Sequence, residues 1–592
     1  MPHRASNRLI LKPMMVVAAM ALATLAHPTV AGAAGSPDLG GGAILPLAQV
    51  TAGMQCTGES VVQGTSISSF NVQVINVVNA PGEGPRILIR ASGPAVDSTG
   101  IAAGFSGSPV YCPDSTGTPA NAGAISESVG DYGNHLALVT PIEQMLGEPV
   151  FAPSHARLLT APRRPLMGPL SVAGLSGGMF DVLREAASRA GRTVLAAPGD
   201  PLSTFSVQPL VPGASVGVSY STGVVGVGAV GTVTYRNGQA VYAFGHPFDE
   251  VGRRSLPLQD AYVYDVVGNP DPLLGSYKLA APGHVEGTLT SDTPNAVIGQ
   301  VGAGPTMIPL QVNATDLDTG RAIEEATQVA DETDVGSPLG TSLLGLVAPL
   351  AIGQAATDVY DGPPANESGR MCLRLTIREL GTLGFCKRYV GTGFAGGGGP
   401  GLPELATATA SDAGSALALL DSEQFSPLHV MSVAATITAQ GGLAEAALLS
   451  AKAPLRVKAG RTVRVHLLLR RYRGALQRVT VKLRIPRQAH GRLLVSIHGP
   501  SGPPGGANPL VIPLSLLLGA PGPSPRPPES ASALRQRVTA IASYDGLEAT
   551  LLGAPAPGRR PGGRPPSGRT EHVYRDPALL INGQAHLTFL VR

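Results

Sequence analysis

Two short segments of this 592-residue chain bring together residue types that could cleave an acyl bond. The first is Gly104-Phe105-Ser106-Gly107-Ser108-Pro109. A nucleophilic serine needs its hydroxyl on a tight turn, with backbone N–H groups aimed at the oxyanion that forms on attack. Gly104 and Gly107 supply the conformational freedom for such a turn. The N–H groups of Gly104 and Ser106 would then line the oxyanion hole. An ordinary Gly/Ser turn between strands has the same composition, so the motif alone leaves both readings open. The second segment is Ala243-Phe244-Gly245-His246-Pro247-Phe248. A histidine at a strand end, fixed between glycine and proline, suits a general base: its backbone is constrained and its ring can face a cleft. A single histidine satisfied by local hydrogen bonds is the structural alternative. His135, His155 and His284 share this stretch of chain, without a comparable Gly/Pro setting on this reading.

Strands must position these segments. Hydrophobic residues make up 43% of the chain and charged residues only 14%, which excludes wholesale disorder and long charged helices. Tryptophan is absent, so the cores are built from Val, Leu, Ile and Ala, and the many Gly and Pro residues supply turns. Strands are expected over 72–78 and 86–90, with Pro81-Gly82-Glu83-Gly84 between them, and over 122–128 and 135–139. One or two helical turns follow at 141–146, with Pro141 at N1. The stretch 161–169 is a Pro- and Arg-rich linker, and a helix is expected over 178–190, ended by Gly191. Further strands are predicted at 216–220, 228–235 and 240–244, the last two joined by an Asn237-Gly238 hairpin turn. Others follow at 285–289, 296–301 and 308–312. No internal repeat of fixed period is visible. A net charge of +3 is too small to point to a nucleic acid. No P-loop and no His-Glu-x-x-His is present, so no cofactor or metal is expected.

Taken together, the two motifs resemble the SpoIVB family of serine peptidases. That family carries Gly-Met-Ser-Gly-Ser-Pro around its nucleophile and a Gly-His motif after a Gly-x-Gly-Thr-Leu-Thr strand. The matching residues are Gly104 to Pro109, and Gly228-Ala-Val-Gly-Thr-Val-Thr234 leading to Gly245-His246-Pro247. The likeness spans roughly residues 50–310 and includes Gly58-Glu-Ser-Val-Val-Gln-Gly-Thr65 and Val139-Thr-Pro-Ile-Glu-Gln-Met-Leu146. It implies a mostly β chain with a chymotrypsin-like double β-barrel, and an endopeptidase with Ser106 as nucleophile and His246 as base. The chain departs from the family pattern in order, because Ser106 precedes His246 by 140 residues. A permuted order is permissible, since a triad is defined by geometry. It is similar to an extended branch of exported bacterial proteins in which the Ser half comes first. The family places its aspartate shortly upstream of the serine, which singles out Asp97. Asp249, three residues after His246, is the alternative acid. Phe105 replaces the usual Met, and the family's PDZ module has no counterpart. A catalytically inactive exported scaffold or binding protein on the same fold is the rival reading.

The N-terminus has the pattern of a secretory signal over 1–33, with Arg4, Arg8 and Lys12 before an apolar run and Ala31-Gly32-Ala33 as cleavage site. The expected location is therefore outside the cytoplasm, secreted or in the cell envelope, with a membrane partner only if the signal stays uncleaved. The expected substrate is a protein or peptide, the chain itself included. Four cysteines allow three pairings. Local pairs, Cys56 with Cys112 and Cys372 with Cys386, are favoured, the second across a hairpin turned at Gly381-Thr-Leu-Gly384. Expected domains are a Ser-bearing half at 50–160, a linker with helix at 161–213, a His-bearing half at 214–310 and a β-rich extension at 311–390. A linker at 391–429, a β-sandwich at 430–498 and a Pro/Gly-rich tail at 499–592 with a short helix and terminal strands complete the list. Arg470-Arg471-Tyr472-Arg473 is read as a solvated strand end.

Overall fold

The computed structural model describes residues 42–592 apart from 131–134, 270–274, 337–340, 393–401, 424–426, 501–526 and 554–568, and the single positions 155, 162, 167, 168, 190, 191, 200, 363 and 543. The expected signal, the glycine run 396–399 and most of the two Pro/Gly-rich tracts of the tail lie outside the described residues.

The chain is mostly β, as its composition requires. Its first strands are β1 (Gln55–Gln63), β2 (Ser66–Ala80), β3 (Gly84–Ser92), β4 (Pro109–Pro113), β5 (Pro119–Val129) and β6 (Leu136–Pro141). β1 pairs with β2, β2 with β3, β3 with β6, β6 with β5, β5 with β4, and β4 back with β1, every pair antiparallel. The six strands thus form a closed circuit, 1-2-3-6-5-4, around one apolar cluster that includes Phe70, Val72, Ile87, Ile89 and Phe105. Cys56 and Cys112 form a disulfide that ties β1 to β4. A one-turn helix α1 (Ile142–Met145) follows β6, with Pro141 as its N-cap rather than at N1.

Three short strands, β7 (Arg157–Leu158), β8 (Arg163–Pro165) and β9 (Leu170–Ala173), lead to helix α2 (Gly177–Arg189) and strand β10 (Val194–Ala196). Then come β11 (Ser215–Gly223), β12 (Gly226–Asn237), β13 (Ala240–Ala243), β14 (Gly252–Val267), β15 (Tyr277–Thr293) and β16 (Ala296–Val301). The pairings β11–β12, β12–β13, β13–β16, β16–β15, β15–β14 and β14–β11 are all antiparallel. A second closed circuit results, with the same order 1-2-3-6-5-4 in its own numbering. Gly238, at a φ of 58°, turns β12 into β13 as the Asn-Gly signal requires. What repeats along the chain is pairing order, which leaves no periodic trace in side-chain identity.

The second circuit continues through β17 (Met307–Asp316) and β18 (Ala322–Ala330) to a hairpin of β19 (Asn366–Ile377) and β20 (Gly381–Thr392), with β21 (Val430–Gly441) between β17 and β19. Cys372 and Cys386 face each other in that hairpin and are bridged. Its turn is Arg378–Leu380, a few residues before the expected Gly381–Gly384. Three further expectations need correction. The extension 311–390 contains a helix, α3 (Leu343–Asp358), and the linker 391–429 contains another, α4 (Glu404–Asp421). α3 is apolar on every side and almost wholly buried, so it shows no 3.6-residue periodicity to read. The sandwich does not begin at residue 430, because β21 belongs to the long sheet. A four-stranded and a five-stranded sheet, built from residues 445–498 and 547–591, enclose one apolar cluster containing Leu467, Val495, Leu551 and Phe589. The terminal strands of the tail therefore complete the sandwich. Between them the expected short helix is present as α5 (Ala531–Ala540), and Arg470 to Arg473 form an exposed strand end.

Candidate active site

Ser106 and His246 sit on corresponding connections of the two circuits. Ser106 lies between β3 and β4, the third and fourth strands of its circuit, and His246 between β13 and β14, the third and fourth of its own. The two connections meet. A Cβ added to Gly107 would stand 1.9 Å from the Thr232 carbonyl oxygen and 2.5 Å from the Phe244 backbone nitrogen. Only glycine permits that approach, and Gly107 also has a φ of 91°.

Strand β12 holds the serine turn. The Thr232 N–H donates to the Ser106 carbonyl at 2.8 Å. The Thr232 hydroxyl donates to the Gly104 carbonyl at 3.2 Å, and the Thr234 hydroxyl to the Gly107 carbonyl at 2.7 Å. The Gly-Thr-Val-Thr strand singled out in the sequence thus clamps the turn through its carbonyls. Within the turn, Phe105 N–H donates to Ala102 and Ser108 N–H to Phe105. Among the described residues neither Gly104 N–H nor Ser106 N–H donates a hydrogen bond. The two expected oxyanion donors are therefore unspent.

The histidine turn is strained. Phe244 adopts a φ of 69°, which is rare for a non-glycine residue, and Gly245 follows at 70°. The Thr140 hydroxyl donates to the Gly245 carbonyl at 2.7 Å and fixes the turn from the first circuit. His246 Nδ1 lies 2.7 Å from the Pro247 carbonyl oxygen. A carbonyl only accepts, so Nδ1 carries the proton and Nε2 is the unprotonated nitrogen. Nε2 is buried and has no hydrogen-bond partner. Burial pushes the imidazole pKa down to about 4, with the Pro247 and Leu166 carbonyls opposing that shift. This is the tautomer and charge state that a general base requires.

The pair is not engaged. No hydrogen bond joins Ser106 Oγ to the His246 ring, and the two residues are only 1% and 6% exposed. Neither acid candidate reaches the histidine. The exposed Asp97 accepts the Gly93 N–H at 2.7 Å and so caps its own turn. Asp249 is fully occupied elsewhere, by Arg192 at 2.9 Å, by the Tyr220 hydroxyl at 2.8 Å and by Arg254. Its role is to fasten the chain just after His246 to β11 and β14. The orienting partner of His246 is a carbonyl of its own turn.

Two groups were not singled out by the sequence. Lys278, in β15, runs beneath the serine turn. Its backbone N–H donates to the Ala103 carbonyl at 2.8 Å, and its ammonium donates to Ser60 Oγ at 2.9 Å and Thr232 Oγ1 at 3.4 Å. Ser108 Oγ donates to the same Ser60 hydroxyl at 3.0 Å, and the ammonium lies 4.8 Å from the Phe105 ring centroid. Among the described residues no carboxylate pairs with Lys278, and burial lowers its pKa to about 7. Its hydrogen-bonding partners are 218 and 46 residues away, so no local pattern marks it. The second is His284. Asp260 accepts from its ring Nδ1 at 3.0 Å and its backbone N–H, and the ring lines a cavity of about 560 Å³ with Ser219, Ser221 and Leu202. Contrary to expectation, His284 does have a Gly/Pro setting, because it follows Pro282-Gly283.

Among the described residues no cluster of His, Cys, Asp and Glu is arranged to hold a metal, and no helix is long and apolar enough to cross a membrane. The two disulfides fit an oxidising compartment outside the cytoplasm. No protein-family model matches this chain, and neither does any curated protein or solved structure.

Proposed function

We propose that the chain is an exported serine endopeptidase built on two six-stranded barrels of the chymotrypsin-like kind, with the serine-bearing barrel first. The observation that carries this reading is the meeting of the two connections: an unspent N–H pair flanking Ser106, against a strained turn that holds a neutral histidine with Nε2 free. In the reaction, His246 Nε2 takes the Ser106 proton as Oγ attacks the peptide carbonyl. The N–H groups of Gly104 and Ser106 hold the oxyanion, and the departing amine receives the proton from His246. Water then hydrolyses the acyl-enzyme by the same proton route. The Pro247 carbonyl serves where a carboxylate would in a triad, keeping the proton on Nδ1. Ser106 and His246 come into hydrogen-bond reach when the site opens to substrate, since catalytic hydrogen bonds often tighten only in the complex.

The second reading, an inactive exported scaffold, is favoured by one observation, the absence of a Ser106–His246 hydrogen bond. Labelling with a fluorophosphonate probe decides between them. The mature protein should be labelled and Ser106→Ala should not. Absence of any label on the wild type supports the scaffold.

A further inference from the structure

Part of the chain between the two circuits pairs with β5 next to the serine turn, in the manner of an added strand. β5 carries an irregularity between Ile125 and Glu127, at Ser126. Before it, β5 pairs with β4 and with the serine turn: Gly107 N–H donates to the Ile125 carbonyl, and Ile125 N–H to the Ser108 carbonyl. Beyond it, the edge that β4 leaves is taken by β8, with Glu127 opposite Pro165, Ser128 opposite Arg164 and Val129 opposite Arg163. The next residue, Leu166, donates its N–H to the Ser126 carbonyl at 2.9 Å. The segment Arg163–Leu166 therefore runs antiparallel along β5 and ends beside the turn that holds Ser106.

Its last residue lies beside His246. The Leu166 carbonyl faces the His246 ring, and the Leu166 side chain, 4% exposed, joins the apolar cluster of the first circuit. At the other end, Arg163 is held by Glu127 at 3.1 Å, by Glu83 at 3.0 Å and by the Pro81 carbonyl at 3.1 Å. Strand addition supplies affinity through main-chain hydrogen bonds, and a pocket for one side chain supplies specificity.

We infer that Arg163–Leu166 is a resident occupant of the substrate cleft, and that the cleft takes extended peptides which add a strand to β5 and bury a leucine-sized apolar residue at the acyl position facing Ser106 and His246. This rests on the serine-peptidase reading for its chemistry but not for its binding geometry. The segment contributes to the burial of His246, which the Leu166 carbonyl adjoins.

The test uses the mature full-length chain carrying Leu166→Ala, which weakens the hold of the resident segment. Arg163→Ala serves as a second variant that leaves the apolar cluster intact. The probes are fluorescein-tagged Arg-Arg-Pro-Leu-amide and Arg-Arg-Pro-Asp-amide, followed by anisotropy, together with fluorophosphonate labelling of Ser106. We expect either variant to bind the leucine peptide at least about tenfold more tightly than the aspartate peptide and more tightly than wild type does. We expect labelling to quicken by about tenfold or more, and the leucine peptide to suppress it. Equal binding of the two peptides by a folded variant, or variants labelled no faster than a wild type that is itself labelled, overturns the inference. Selective peptide binding with no labelling of any protein upholds the cleft and overturns the peptidase reading, so the two failures are distinguishable.

Discussion

The two circuits share strand order and antiparallel pairing, yet each uses the connection between its third and fourth strands differently. In the first, that connection is long and is held from outside, by the threonines of β12 and by Lys278 of β15. In the second it is short and is held mostly by its own circuit: Asp292 accepts the Phe248 and Asp249 N–H groups, and Asp249 is bound by residues of α2's C-terminal link, β11 and β14. The serine turn is thus held by β5 of its own circuit and heavily by the partner circuit, and the histidine turn mostly by local polar anchors, with Thr140 as its tie across the seam. A site formed this way exists only when the two circuits dock, so its geometry reports on docking as much as on either half.

The largest effect should come from breaking the docking itself. Gly107→Ala places a methyl group into the Thr232 carbonyl and imposes a disfavoured φ, and should cost at least about 3 kcal/mol or prevent folding. Chemical denaturation measures this, and a loss under about 1 kcal/mol would show that the circuits separate easily.

The two carboxylates next to the site sharpen the contrast between local anchor and surface cap. Asp249→Ala leaves Arg254 and Arg192 without their shared partner in a buried network and should cost about 3–5 kcal/mol. Asp97→Ala removes one cap hydrogen bond on an exposed turn and should cost about 1 kcal/mol or less. Neither change should move the pH dependence of labelling. A shift of its acid limb in Asp97→Ala would restore Asp97 as the orienting acid.

Lys278→Met gives a smaller effect of unusual sign. A buried ammonium without a carboxylate costs stability, so its removal should raise Tm, at about 1 °C per kcal/mol for a chain of this length. The folded pKa of about 7 lies below the ordinary 10.5, so wild type binds fewer protons folded than unfolded between those values. Its stability relative to the variant therefore improves as pH rises from 7 towards 10.5, and the gap in Tm should close over that window. The same variant should be labelled more slowly, because the anchor beneath Gly104 and Ser108 is lost. Faster or equal labelling would mean that Lys278 only fills space.

Much of this was legible because glycine and proline punctuate the backbone. Gly104, Gly107, Gly245 and Pro247 marked the two turns, Asn237-Gly238 marked the hairpin, and alternation marked the strands they join. The cysteine pairs followed from nearness in sequence, with a hairpin expected only for Cys372 and Cys386. Illegible features share a physical cause: their meaning lies in partners far along the chain. α3 is uniformly apolar because everything around it is core, β21 looks like its sandwich neighbours until its pairing with β17 is seen, and Lys278 is an unremarkable lysine until β1 and β12 surround it. The acid was misjudged for a related reason. Sequence proximity placed Asp97 and Asp249 near the motifs, while each side chain is engaged by nearer donors. Arg163–Leu166 has a linker's composition, and nothing local foretells its pairing with β5.

The central claim is that Ser106 and His246, one from each circuit, act as a pair. It is tested most directly by fluorophosphonate labelling of the mature protein, with peptide mapping of the adduct by mass spectrometry, alongside His246→Ala. The account predicts a single adduct on Ser106 in wild type and its loss in His246→Ala. An adduct on another serine, Ser60 or Ser108 included, or an undiminished Ser106 adduct in His246→Ala, would contradict it.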